Sequence, residues 1–201
     1  MLNVCDQFIL RETMRSRTIL KVAAAASLYV FAGAARSRAS KSSIPLEVDF
    51  VPSSPKIVDA MLKVVNIKRT DVVYDLGCGD GRIVIAAAKR YGARGVGIDI
   101  DPERIKDANA AAKAAGVAKR VEFRLGDLFE ADFHDATVIM LFLKWNYNRK
   151  LKARLFEQLK PGTPVISHEH DMGDDWVPEQ KIMVENSPIY LYRIPARRNL
   201  S

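Results

Sequence analysis

Asp75, Gly77, Gly79 and Gly81 alternate through Asp75-Leu76-Gly77-Cys78-Gly79-Asp80-Gly81, and Asp99 follows 20 residues after Gly79. Glycines permit positive φ and remove side chains where a ligand must approach the backbone. A carboxylate about 20 residues further on can accept hydrogen bonds from both hydroxyls of a ribose. This spacing therefore suits the holding of a nucleotide-like ligand. A dinucleotide fingerprint reads G-x-G-x-x-G. Here Arg82 occupies the third-glycine position, which disfavours a nicotinamide-dependent oxidoreductase. A further acid, Asp127, follows Gly126, and His168-Glu169-His170-Asp171 form a polar group further on. Two imidazoles with no cysteine nearby fall short of a zinc site, so no metal is expected.

The elements that must position these residues can be read around them. Val72 to Leu76 reads as a short buried strand, and the apolar run from Ile83 as a helix to about Arg90; strand, glycine turn and helix open a Rossmann-like unit. Before them, Ser54 can cap and Pro55 can begin a helix whose apolar face is Ile57, Met61, Val64 and Val65. Val96 to Ile100 is expected as the second strand, with Tyr91 to Gly95 as a turn. Asp101 and Pro102 then cap and start a helix that Gly116 ends. Val121 to Arg124 reads as a third strand, and Ala136 to Leu143 as a fully buried central strand. Lys144 to Asn148 stand at its carboxyl end, where catalytic groups of such sheets sit. A helix carrying Leu151, Leu155 and Leu159, a strand over 163–167 and an antiparallel pair at 181–185 and 189–194 complete the expected fold. It is an α/β, Rossmann-like, doubly wound sheet of seven strands, mostly parallel with an antiparallel last strand.

Charge is unevenly placed. Residues 1–43 hold seven Lys/Arg and two Asp/Glu, so they supply +5 of the net +7 and leave +2 to the remainder. That asymmetry argues for targeting or a membrane surface more than for nucleic acid. Within the segment, basic residues flank an apolar run from Val22 to Ala35, with Ala32-Gly33-Ala34 as a small-x-small site. The run is shorter than the roughly 20 residues a bilayer span needs. It resembles a signal peptide or membrane anchor; an organelle presequence and an unprocessed tail are the alternatives. Residues 1–43 are therefore set apart from a domain over 44–201. The expected location is membrane-associated through that segment, with export or organellar import after cleavage, or a cytoplasmic location, as alternatives.

The glycine loop resembles motif I of the class I S-adenosylmethionine (SAM) dependent methyltransferases. A narrower resemblance is carried by Phe50-Val51-Pro52-Ser53, Leu141-Phe142-Leu143, Asn148, Leu159-Lys160-Pro161-Gly162-Thr163, Ser167-His168, Asp171-Met172-Gly173-Asp174, Trp176 and Pro178. These stretches are similar to bacterial relatives of the mitochondrial protein-lysine methyltransferases that act on the c-subunit of ATP synthase and on the adenine nucleotide translocase. Trp145, where a proline is usual, and an additional acid at Asp174 or Asp175 depart from that pattern. The resemblance implies SAM as cofactor. Asp75, Gly77, Cys78, Gly79 and Gly81 would wrap its methionine part. Asp99, with Ile100 beside it, would hold the ribose, and Asp127 with Leu128 the adenine. The alternative for Asp127 is an ordinary turn residue.

For the acceptor, Trp145, Asn146, Tyr147, His168 and Asp171 are the candidate catalytic group, with Trp145 and Tyr147 as an aromatic wall. The implied reaction moves the SAM methyl to an amine, a protein lysine above all. Alternatives are a small-molecule methyltransferase and a tethered SAM-binding protein without transfer. Adenine N6 and cytosine N4 enzymes carry Asn/Asp-Pro-Pro-aromatic where this chain reads Leu143-Lys144-Trp145-Asn146. The expected partner is thus a protein, with a membrane protein as one option, and not nucleic acid.

Overall fold

The computed structural model describes residues 51–196. The expected signal or anchor segment lies outside them. Among the described residues, no helix is long and apolar enough to cross a membrane.

The elements follow in chain order as α1 (Pro55–Val64), β1 (Val72–Leu76), α2 (Arg82–Tyr91), β2 (Arg94–Asp99), α3 (Pro102–Ala114) and β3 (Val121–Leu125). Then come β4 (Val138–Leu141), α4 (Trp145–Gln158), β5 (Pro164–His168), β6 (Gln180–Val184) and β7 (Ser187–Arg193). The seven strands form one sheet in the order β3-β2-β1-β4-β5-β7-β6. The pairs from β3 through β5 are parallel, and β7 runs antiparallel to both its neighbours. β1 and β4 lie side by side at the centre, and the chain winds outward from them in both directions. The crevice above their carboxyl ends is where open α/β sheets bind ligands.

Alternation along the central strands builds a core on each face. Val73, Val138 and Met140 face α1 and α2, packing with Ile57, Met61, Leu62, Ile83 and Val84. Tyr74, Leu76, Ile139 and Leu141 face the other way, against Leu151 and Leu155 of α4 and against Trp176 and Tyr192. The helix starts follow the expected capping chemistry. The Ser54 hydroxyl accepts from the Ile57 N–H with Pro55 next in the chain, and the Asp101 carboxylate accepts from the Glu103 N–H ahead of α3.

The last three strands are shifted by one or two residues from the sequence reading, and three larger differences bear on the site. β2 begins at Arg94, inside the expected turn, because Gly95 and Gly97 serve as strand residues beneath close neighbours. A Cβ on Gly97 would come within 2.7 Å of both Cys78 Sγ and a Phe123 ring carbon. β4 is shorter than the apolar run around it, and Phe142 and Leu143 leave the sheet to line a cavity. α4 starts at Trp145 rather than near Leu151. Its buried stripe is Asn148, Leu151 and Leu155, so the first turn is anchored by a polar residue that an apolar period does not register.

Candidate functional site

A cavity of about 310 Å³ opens over the carboxyl ends of β1 and β4. Its floor is the turn from β1 into α2. Gly77, Gly79 and Gly81 there have φ of 90°, 52° and 75°, a region costly for residues with a Cβ. The Gly77 and Cys78 N–H groups donate to Ile98 O at 2.8 and 3.0 Å, which fixes the turn to β2. A Cβ on Gly77 would stand 2.8 Å from Leu143 Cδ2, so the loop can pass beneath that wall only without a side chain.

Five aspartates line the cavity: Asp75, Asp80, Asp99, Asp101 and Asp127. Asp75 is 2% exposed and has no hydrogen-bond or ion-pair partner among the described residues. Burial, then the charges of Asp99 and Asp80, push its carboxyl well above the usual value. Asp99 accepts from the Gly79 N–H at 2.8 Å with Oδ2 and from the Asp101 N–H at 3.0 Å with Oδ1. It thus ties the glycine turn to the end of β2 and still offers free lone pairs to the cavity. Asp127 Oδ1 accepts from the Phe129 N–H at 2.8 Å, so it is a turn residue and a cavity residue at once. Cys78 is buried beneath the loop, and burial pushes its thiol up, which keeps it protonated.

A buried, partnerless acid among other carboxylates, above a floor free of side chains, fits SAM. That donor carries an ammonium and a sulfonium, with ribose hydroxyls between them and the base. Ile100 and Leu128 add apolar surface on the Asp99 and Asp127 side.

The lining also contains Val51, Pro52 and Ser53. Arg82 grips Asp80 through Nε and Nη2 at 2.9 and 2.5 Å and donates from Nη1 to Ser53 O at 2.7 Å. Burial would raise the Asp80 carboxyl, but the Arg82 hydrogen bonds and charge hold it below its usual value. Ser53 Oγ meets His168 Nδ1 at 3.0 Å, and the imidazole packs on Phe142 with ring centroids 4.1 Å apart. Sequence alone does not single out Ser53, Arg82 or Phe142 as site residues. Only the stretches Phe50–Ser53 and Leu141–Leu143 of the family resemblance mark two of them.

The candidate acceptor residues are separated by the fold. Tyr147 lines the cavity and stacks near Phe129, with ring centroids 6.1 Å apart. Trp145 is 58% exposed with the Arg149 guanidinium 5.6 Å from its ring centre, and Asn146 is exposed; neither lines the cavity. α4 begins immediately after Lys144, so its first turn carries these two away while Tyr147 faces back. His168 is buried behind Phe142, outside the lining. Asp171 is exposed and accepts from the Gly173 N–H at 2.9 Å. Glu169 and His170 line the cavity instead.

Burial lowers the proton affinity of His168 below its ordinary value of 6.5. The unfolded chain then takes up a proton that the folded protein resists. The stabilisation is complete above that value and is lost as pH falls toward the lower folded-state value. Urea unfolding at pH 7.5 and pH 5.5 is expected to show lower stability at acid pH, with His168→Gln flattening the difference. An identical difference in the variant would remove His168 from that role.

The sheet order, with its ligand crevice at the β1–β4 junction, is the architecture of class I SAM-dependent methyltransferases, and the protein is one of them. Comparison with known proteins narrows the class. The chain belongs to the family of the ANTKMT methyltransferase domain, whose family model matches residues 75–180. It is 44% identical over 152 residues to a protein-lysine N-methyltransferase of Saccharolobus islandicus, covering 73% of this chain and 94% of that one. It is 30% identical over 152 residues to the Xenopus laevis lysine N-methyltransferase of the ATP synthase c-subunit, covering 76% and 66%. Among solved structures, an RNA methyltransferase from Salinibacter ruber in complex with S-adenosylhomocysteine is 53% identical. It covers 75% of this chain and 98% of that one, with a TM-score of 0.72.

Proposed function

We propose that the acceptor is the side-chain amine of a protein lysine. The carrying observation is the lining of the cavity, which joins the glycine turn and its carboxylates to the half-buried Phe142, Leu143 and Tyr147 and to the exposed Glu169. The lysine-methyltransferase names of the Saccharolobus and Xenopus relatives support the same reading. SAM, when bound, supplies a methyl group on a sulfonium that a nucleophile can displace in line.

The chain's own residues have two tasks. Asp75 and the glycine turn would hold the methionine end, Asp99 with Ile100 the ribose, and Asp127 with Leu128 the base, which fixes the donor against one wall. The aromatic side then makes the acceptor reactive. At pH 7 an amine with an ordinary value near 10.4 needs about 4–5 kcal/mol to lose its proton. Apolar walls disfavour the charged form and reduce that requirement. Residues 1–43, with basic residues on either side of an apolar run, support an acceptor at a membrane.

An RNA acceptor is the second reading, favoured by the name of the 53% identical Salinibacter structure and by Lys144 at the cavity wall. One experiment separates the two. The purified protein is incubated with tritiated SAM and separate soluble-protein, membrane-protein and RNA fractions. We expect protease-sensitive label that is recovered as methyl-lysine after acid hydrolysis. Label confined to RNase-sensitive material would overturn the lysine reading.

A further inference from the structure

Glu169 follows the last residue of β5 with φ of +68°, in the left-handed region that a residue with a Cβ rarely adopts. The His170 N–H donates back to His168 O at 2.8 Å. Glu169 is therefore the middle of a tight three-residue turn, the rare and strained form of such turns. Asn66, Glu185 and Asn186 are the other described non-glycine residues with positive φ. Asn66 closes the end of α1, and Glu185-Asn186 form the two-residue link between β6 and β7, both common places for such a conformation. Glu169 has no such ordinary place.

Its conformation is imposed from both sides. The Glu169 N–H donates to Pro188 O at 2.7 Å. His170 O accepts from Ser167 Oγ at 2.5 Å and from Asn148 Nδ2 at 3.0 Å, and Asp171 O accepts from Asn148 Nδ2 at 3.3 Å. Ser167 and Asn148 are both 0% exposed. Local strain of this kind persists where surrounding structure over-determines it, and it clusters at functional sites. The outcome here is specific: Glu169 and His170 line the cavity, while Asp171 is left outside it. The Glu169 carboxylate is exposed and makes no hydrogen bond or ion pair with any described residue.

We propose that Glu169 is the residue that receives the charged head of the acceptor, an alkylammonium, at the cavity rim. The inference rests on the amine-acceptor reading and adds a specificity residue to it. An unpaired carboxylate in the lining of the cavity attracts an alkylammonium through charge. The same carboxylate repels phosphate, so it selects against nucleic acid. Glu169 makes no covalent bond and is not the group that deprotonates the amine, because its charge favours the ammonium. It captures the cation, and the apolar wall further in disfavours the charge.

The test uses the full chain and a peptide bearing the lysine that wild-type protein labels, with Glu169→Gln and Glu169→Gly compared. Glu169→Gln is expected to raise KM for the peptide about tenfold, the size of one lost charge-assisted contact. We expect kcat within about threefold and an unchanged calorimetric affinity for SAM. Salt should weaken acceptor binding less in the variant than in wild type. Glu169→Gly relaxes the turn, so it should show the same KM defect with a raised Tm. An unchanged KM in Glu169→Gln would overturn the inference while leaving the lysine reading intact. A defect confined to kcat and Tm would also overturn it, since that would mark a purely structural role. If wild-type protein labels no lysine, the reading and the inference fall together.

Discussion

Asp99→Ala is expected to lose SAM affinity by at least about 100-fold while the domain stays folded. Two losses combine. The carboxylate can no longer meet the ribose hydroxyls, and each hydrogen bond to a charged group contributes about 1.5–3 kcal/mol. The Gly79 N–H also loses its acceptor at 2.8 Å, which releases the middle of the glycine turn. The fold survives because the β2 residues that build the core, Val96 and Ile98, are untouched. Gly79→Val should reach the same end by another route, since φ of 52° is incompatible with a β-branched side chain. Calorimetric titration with SAM, beside a thermal melt, reads both variants. Wild-type affinity in the two of them would remove the donor from this crevice.

Asp75→Asn is expected to make the SAM-free protein more stable and the SAM complex weaker. Burial raises the proton affinity of Asp75 in the folded state, and the charges of Asp99 and Asp80 raise it further. The stability contributed by that acid is present at low pH and is lost as pH rises through the folded-state value. At neutral pH the amide removes the penalty, and Tm should rise by about 2–4 °C for each kcal/mol recovered in a domain of this size. A cationic donor reverses the balance, because it favours the ionised carboxylate. Binding to wild type should release a proton, make the measured heat depend on the buffer, and tighten as pH rises. The variant should show neither effect and bind about 10–150-fold more weakly, the loss of one charge-assisted contact. A destabilised variant with unchanged SAM affinity would refute this account.

The same two carboxylates show why half of the cavity lining was legible in the sequence. The side proposed for the donor is built from one turn and the ends of successive strands, so short-range spacing carries it. Asp75, Gly77 and Gly79 sit within five residues, and Asp99 lies one crossover away. The acceptor side is assembled from segments far apart in the chain. Ser53 meets His168 across 115 residues, and Asn148 fixes the backbone of His170 across 22. Pattern alone could not show that His168 turns inward to Ser53 while Glu169 is left at the rim. Nor could it show that α4 starts ahead of its leucine stripe, on a buried asparagine, and carries Trp145 and Asn146 off the cavity. The succession of strands and helices along the chain, by contrast, was legible in apolar runs and cap signals, because those act locally and each agreed with the whole.

The Ser53 bridge gives the front of the domain a mechanical role. Its carbonyl is held by Arg82 and its hydroxyl meets His168, so one residue bolts the segment Val51-Pro52-Ser53 to both the first crossover helix and the fifth strand. The hairpin tip grips the same region, since Glu185 accepts from the Ser54 hydroxyl and pairs with Lys56. A shift of either α2 or β5 would therefore be felt at once in the pocket wall that Val51, Pro52 and Ser53 build, so the width of that pocket is coupled to two elements on different sides of the central strands.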